Sequence, residues 1–326
     1  MNFHSDEWIM GELNKHCEEA LTLFPKSKIV GIFYQGSGNY GLDYCNSDVD
    51  SKCVLIPSLE DICLNREPVS FTHVRENGEH IDFKDIRKFI GDFKKQNINF
   101  LEILFTKYFQ INDDYSGLWS VLITYGEEIA AYDNHRFVKS IAGMSLEKKK
   151  ALTLDRPSQH DEIVKYGWAT KQLHHLIRLN YFIKRWVDGE SFANCLQTPE
   201  TDKLTCVKQY GHVIYTLEQA IALAEELDNE TNQIKEDYIK NNPHVINDDT
   251  ADMLDEIASR IIRKSLKKEL IEEDHMKKVI CSKCGASSTE DYEVYLMEIG
   301  EIDNRCPVCG EIGSLSLEVG KTEENN

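Results

Sequence analysis

The chain alternates blocks of two different hydrophobic periods. Residues 5–23 carry Trp8, Ile9, Leu13 and Leu21 at helical spacing, which predicts a helix with one buried face. Ile29-Val-Gly-Ile-Phe-Tyr34 and Cys53-Val-Leu-Ile56 are short unbroken apolar runs of the kind a buried strand needs. Strands are expected near 28–34, 48–56, 69–74 and 79–84. Beyond about residue 85 the period turns helical. Asn97-Ile-Asn-Phe-Leu-Glu-Ile-Leu-Phe105 predicts a buried helix, and Leu217–Ile239 and Asp249–His275 predict amphipathic ones, broken apart by Asn241-Asn-Pro-His244. Near the C-terminus Tyr292-Glu-Val-Tyr-Leu-Met297 and Ser314-Leu-Ser-Leu317 return to strand. The fold class is α+β. Four parts are expected: a sheet-bearing domain over 1–109, a helical domain over 110–276, a small module over 277–320 and a polar tail over 321–326.

The link between the first two strands is the most informative stretch. It reads Gly36-Ser-Gly-Asn-Tyr-Gly-Leu-Asp-Tyr-Cys-Asn-Ser-Asp-Val-Asp50. Residues i and i+2 of a strand share a face, so Asp48 and Asp50 stand side by side next to a turn able to hold phosphate. That pairing suits a metal-dependent nucleotide site. Gly36, Gly38 and Gly41 also satisfy G-x-G-x-x-G. A dinucleotide fold, however, needs a full helix after the glycines and an acid about 20 residues further on. Asp48 arrives too soon, and no Lys-Ser/Thr follows, which excludes a Walker loop as well.

Strand, Gly-Ser, short helix and Ser-Asp-Val-Asp together resemble the DNA polymerase β superfamily of nucleotidyltransferases. The resemblance implies a mixed sheet with helices, and a cleft between the sheet and the helical domain. Gly36 and Ser37 would form the triphosphate turn, and two magnesium ions would be held by Asp48, Asp50 and a third acid on a later strand. His80-Ile-Asp82-Phe fits that third place. Asp85 is the fallback, because it opens a helix-like run where an acid is a common N-terminal stabiliser. Within the superfamily, Asn65–Ser70, His80–Arg87, Gln96–Phe105 and Lys165–Arg178 are similar to the bacterial and phage RNA-repair-associated group sometimes called RlaP. That similarity covers roughly residues 25 to 190.

The resemblance implies the following division of labour. Asp48 and Asp50 bind both metals, and Asp82 holds the metal on the nucleophile side and accepts the proton of the incoming hydroxyl. Gly36, Ser37 and the amides of the short helix meet the β and γ phosphates of a nucleoside triphosphate such as ATP. His80 shares a strand face with Asp82 and can touch the site.

Charge sharpens this picture. The formal net charge of −19 argues against a general nucleic-acid binder. Residues 134–186 depart from it, with eleven Lys or Arg against four Asp or Glu, and form a basic island suited to a polyanionic partner such as an RNA 3′ end. Within it Lys171, His174, His175 and Arg178 recur at i, i+3, i+4, i+7 and form one helical stripe. The stripe is either a solvated face or, given the resemblance, part of the nucleotide site facing Asp48 and Asp50. Lys148-Lys-Lys150 reads as an RNA-backbone contact or a solvated turn.

Cys281-Ser-Lys-Cys284-Gly and Cys306-Pro-Val-Cys309-Gly form C-x₂-C pairs with 21 residues between them. Four thiolates suit a closed structural zinc, and with the two strands they predict a zinc ribbon. From Lys277 to Asn326 five basic residues face ten acidic ones. That balance fits a protein contact or a stabilising cap better than RNA binding. The other cysteines (Cys17, Cys45, Cys53, Cys63, Cys195, Cys206) are scattered thiols. Reduced thiols with zinc, no secretory signal and no transmembrane-length run point to the cytoplasm, with no membrane partner.

Three functions compete on these grounds. The first is transfer of a nucleotide to an RNA 3′ end, tRNA included, in repair. The second is nucleotidylation of a protein or small molecule by the same site. The third is a non-catalytic nucleotide-binding module, which predicts loss of the metal carboxylates.

Overall fold

The structure is a computed structural model that describes residues 4–43, 47–285, 287–288, 306, 308–311 and 315–319. Cys45, the strand expected at 292–297 and the tail from 321 lie outside the described residues. Contacts divide the chain into two compact units, one of residues 1–57 and 66–261 and one of residues 58–65 and 262–326.

In the first unit, α1 (Asp6–Leu23) begins where the Ser5 hydroxyl accepts the Trp8 amide at 3.1 Å and Asp6 and Glu7 fill the first turn. Its buried stripe is Ile9, Leu13, His16 and Ala20. Trp8 and Leu21, expected on that stripe, are exposed, and Trp8 instead stacks on His4 with ring centroids 3.6 Å apart. The strands follow: β1 (Ile29–Gln35) and β2 (Asp50–Leu55), then, after α2 (Leu59–Cys63), which belongs to the second unit, β3 (Ser70–Val74) and β4 (His80–Asp85). All four expected strands are present with their ends moved by one or two residues, the usual fraying of boundaries.

Next come α3 (Ile86–Lys94), α4 (Ile98–Leu101), which continues as a 3₁₀ turn through Leu104, and β5 (Phe109–Ile111). Three residues of strand carry too short a pattern to be legible. Its partner β1 explains it: the Gly31 Cα lies so close that an added Cβ would stand 2.8 Å from the Gln110 carbonyl. The sheet has the order β3-β4-β2-β1-β5, with β2 and β4 parallel and the other pairs antiparallel.

Alternation along β2 gives the sheet two different faces. Val49, Cys53 and Leu55 join Ile32, Tyr34, Ile81 and Phe83 in a core beneath α1. Asp50, Lys52 and Val54 take the opposite side, and Asp48 stands just before the strand. There Phe33 stacks on Trp119 of α5 (Asp113–Thr124) at 4.5 Å, and Phe89 of α3 lies 6.1 Å from the same ring.

The helical part continues with α6 (Gly126–Ala130), α7 (Asn134–Ala151), α8 (His160–Tyr166), α9 (Thr170–Val187), α10 (Phe192–Leu196), α11 (Thr201–Ile214), α12 (Leu217–Asn241) and α13 (Asp248–Met276). α9 is the centre of this bundle and packs on α7, α11 and α12 through Leu173, Leu176, Ile177, Leu179, Phe182 and Ile183. Polar ties cross it: the Ser145 hydroxyl donates to Asp228 at 3.0 Å, and Lys149 pairs with the same buried carboxylate at 2.5 Å. The Lys148-Lys-Lys150 run is the end of a helix rather than a turn, and its middle lysine is held by the ion pair to Asp228.

In the second unit β6 (Lys277–Cys281) lies between β7 (Ser287–Ser288) and β8 (Leu315–Val319), antiparallel to both. β8 overlaps the expected strand at 314–317, and β6 begins directly where α13 ends. Among the described residues no helix is long and apolar enough to cross a membrane.

Candidate functional site

The turn after β1 is built from glycine out of necessity. Gly36 has φ +120°, a backbone region closed to other residues. At Gly38 an added Cβ would come within 2.8–3.1 Å of the Tyr34 ring, whose hydroxyl accepts the Gly38 amide at 2.9 Å. The 3₁₀ turn Ser37–Tyr40 follows, with the Asn39 side chain donating to the Tyr34 carbonyl at 3.1 Å. The helical part grips this turn from the other side. The Gln197 amide donates to the Asn39 carbonyl at 2.8 Å, the Thr198 N–H to the Tyr40 carbonyl at 3.5 Å, and the Arg178 guanidinium lies 3.9 Å over the Tyr40 ring.

Asp48 is exposed and Asp50 half-buried, on either side of the buried Val49. The Asp50 Oδ1 accepts the His80 amide at 3.0 Å, and His80 Nδ1 stands 3.4 Å from the same oxygen. Burial pushes the Asp50 carboxyl up, opposed by the His80 amide, by His80 itself and by Lys171, while Asp48 adds to the rise. In α11, Lys208 is held down chiefly by burial and by Lys171, and feels the opposing pull of Asp48, Asp43 and Asp50. Its placement follows from a backbone tie, because the Thr170 hydroxyl donates to the Lys208 carbonyl at 2.9 Å and brings Lys208 beside Lys171. Lys208 lies outside the basic island and was not legible as a site residue. Only the tertiary pairing of α9 with α11 brings it in.

Asp82 shares the face of Asp50. Lys52 on β2 pairs in register with Asp82 on β4, so Asp50 lies one diagonal step away, a Cα separation of about 8 Å from strand spacing and rise. Its two oxygens are already engaged. The Thr72 hydroxyl donates to Oδ1 at 2.5 Å, and Lys52 Nζ approaches Oδ2 at 3.4 Å. Lys52 is only 2 % exposed and also lies 4.1 Å over the Phe100 ring. This internal cation is a feature the sequence pattern hid inside an apparently apolar strand. Asp85, the fallback third acid, is buried, caps α3 by accepting the Arg87 amide at 2.8 Å, and is paired with the Arg87 side chain.

The stripe on α9 divides. Lys171 is exposed, and His174 and Arg178 are buried. His174 Nδ1 meets the Leu204 carbonyl at 3.0 Å, a packing contact with α11. Burial takes its pKa down to about 4, and burial with the Arg178, Lys148 and Lys171 charges nearby takes His175 well below its ordinary value. Both rings are neutral at pH 7, so on this stripe the positive charge in the field of Asp50 is that of Lys171. Arg178 is 5 % exposed, and its Nε and Nη1 close no hydrogen bond. Glu102, wholly buried, also leaves both oxygens without a bond of good geometry. Burial pushes its carboxyl up to about 8, against the pull of Arg178 and the Gly36 amide.

In the second unit the Cys281, Cys284, Cys306 and Cys309 sulfurs all lie within 4.8 Å of one another. The Cys281–Cys309 and Cys284–Cys306 separations are 3.6 and 3.7 Å, far beyond a disulfide and close to the edge of about 3.8 Å that a tetrahedron with zinc–sulfur bonds of about 2.3 Å requires. Gly285 and Gly310, at φ +70° and +73°, close the two knuckles, with their amides donating to the Cys281 and Cys306 carbonyls at 2.9 and 2.8 Å. This quartet can hold one metal ion such as zinc. Among the described residues no other group of three or more His, Cys, Asp or Glu draws its ligand atoms so close together, and Asp48, Asp50 and Asp82 stand further apart.

No family model matches the chain. No curated protein matches it either. A solved structure to which the chain is similar is a nucleotidyltransferase-like protein from Exiguobacterium sibiricum 255-15, at 10% identity over 84% of this chain and 94% of that one, with a TM-score of 0.25. At that distance the likeness carries no chemistry, and the α+β architecture rests on the sheet and helices described above.

Proposed function

We propose that this chain is a magnesium-dependent nucleotidyltransferase that moves a nucleotide from a nucleoside triphosphate to an acceptor hydroxyl, with an RNA 3′ end as the acceptor. The observation that carries the reading is the closeness of Asp48 and Asp50, either side of the buried Val49, with Lys171 and Lys208 in their field. The donor set fits hard cations: carboxylate oxygens, one exposed and one half-buried, with a third acid one diagonal step away. Asp48, Asp50 and Asp82 would hold the ions, which supply charge stabilisation at the attacking and leaving oxygens.

The remaining work falls to the chain. Gly36 lets the backbone approach phosphate closely, and Ser37 meets the β and γ phosphates, since the Gly38 and Asn39 amides after it are spent on the Tyr34 hydroxyl and the Gly36 carbonyl. Lys171 and Lys208 neutralise the polyphosphate, and Arg178 stiffens the turn through Tyr40. Asp82, whose oxygens meet Thr72 and Lys52, would serve as the third ligand and as proton acceptor for the incoming hydroxyl. The cysteine quartet holds a structural zinc, since four thiolates leave no open position.

Incubation with each α-labelled nucleoside triphosphate, magnesium, and either RNA or protein tests this reading. Label is expected at the RNA 3′ end. Label on protein alone removes the RNA acceptor, and no transfer with any nucleotide removes the enzyme.

A further inference from the structure

On the α1 side of the sheet, directly behind the Asp48-Val49-Asp50 segment, lies a closed polar network in an otherwise apolar layer. Its hub is Glu79, 6 % exposed. Its Oε1 accepts the Val49 amide at 3.2 Å, the peptide N–H between the two acids. Its Oε2 accepts from Arg75 at 2.5 Å, Asn77 at 2.7 Å and His16 Nε2 at 3.1 Å. With Nε2 donating, the neutral His16 ring accepts at Nδ1, so the Ser51 hydroxyl donates to it across 2.8 Å. Arg75 is in turn braced by Glu19 at 2.7 Å. The network therefore grips the peptide that joins Asp48 to Val49 and the Ser51 side chain that follows Asp50. The next residue along, His80, holds the Asp50 carboxylate by its amide.

A buried carboxylate with four donors is costly to assemble, and a generic strand end needs no such hub. We propose that Glu79 is a positioning residue: by fixing the Val49 amide it sets the spacing and direction of Asp48 and Asp50 for a divalent cation. This rests on the reading that those two acids bind metal.

The test titrates the full chain with Mn²⁺ alone and follows unbound ion by electron paramagnetic resonance. Asp48→Ala and Asp50→Ala should each abolish binding; if neither changes it, the site reading itself fails. Given that they do, Glu79→Ala should weaken Mn²⁺ about tenfold, as loss of an outer-sphere partner does, and Ser51→Ala less than threefold. Arg75→Met loosens Glu79 from the rim without opening the core, and decides the matter should Glu79→Ala not fold. It should weaken Mn²⁺ several-fold and speed hydrogen exchange at the Val49 amide while leaving Phe33 protected. Unchanged Mn²⁺ affinity in folded Glu79→Ala, or in Arg75→Met, overturns the proposal.

Discussion

At the scale of single residues the site sets the exposed Asp48 and Lys171 against buried ionisable groups that burial keeps neutral, Glu102 and His174. Asp48→Ala and Asp50→Ala should each reduce nucleotide transfer by about two to three orders of magnitude, with the urea midpoint unchanged for the exposed Asp48, measured as labelled product per enzyme. Glu102 gives a pH prediction. Burial raises its folded-state pKa from 4.5 to about 8, so the folded chain keeps a proton that the unfolded chain has released. The stability this contributes is complete below about pH 4.5 and is lost as pH rises through about 8. Denaturation series at pH 5 to 8 should show that decline, and Glu102→Gln, neutral and of the same shape, should flatten it. The Asp-x-Asp pair and the glycines before it were legible because their spacing is local. Lys52, Glu79 and Lys208 were not, because each owes its place to a partner on another element.

At the scale of elements, the turn between β1 and β2 is the least tolerant part of the fold. Gly38→Ala drives a methyl group into the Tyr34 ring and should destabilise by about 1–3 kcal/mol, read as a lower urea midpoint, with a larger loss of triphosphate affinity than of stability. The strands β1 to β4 could be read directly, since each is a run of apolar or alternating residues bounded by turn formers. α12 and α13 could be read for the same reason at the helical period. β5 could not, because a three-residue edge strand is chosen by the space beside Gly31 rather than by its own pattern. The α9 stripe shows the limit of helical periodicity. Its spacing was right, and α11 packing over one side turned half of a polar face into an interior one.

At the scale of the molecule, the division into two compact units predicts two thermal transitions in calorimetry. Metal analysis should find one zinc per chain, and Cys309→Ser should remove it. Chelation should lower only the transition that belongs to residues 58–65 and 262–326, because a metal bound to the native state alone stabilises the unit that holds it. A single transition that ignores the chelator would contradict the assignment.

The grip of Gln197, Thr198 and Arg178 on the Gly36–Tyr40 turn has a mechanical corollary. A jaw that swung the bundle away from the strands would have to strip two carbonyls of their donors and peel a guanidinium from an aromatic ring at the same instant. These contacts favour a mould that is set before any substrate arrives. If the proposed nucleotide transfer holds, selectivity would then reside in the fixed contour of the walls and not in a closing stroke.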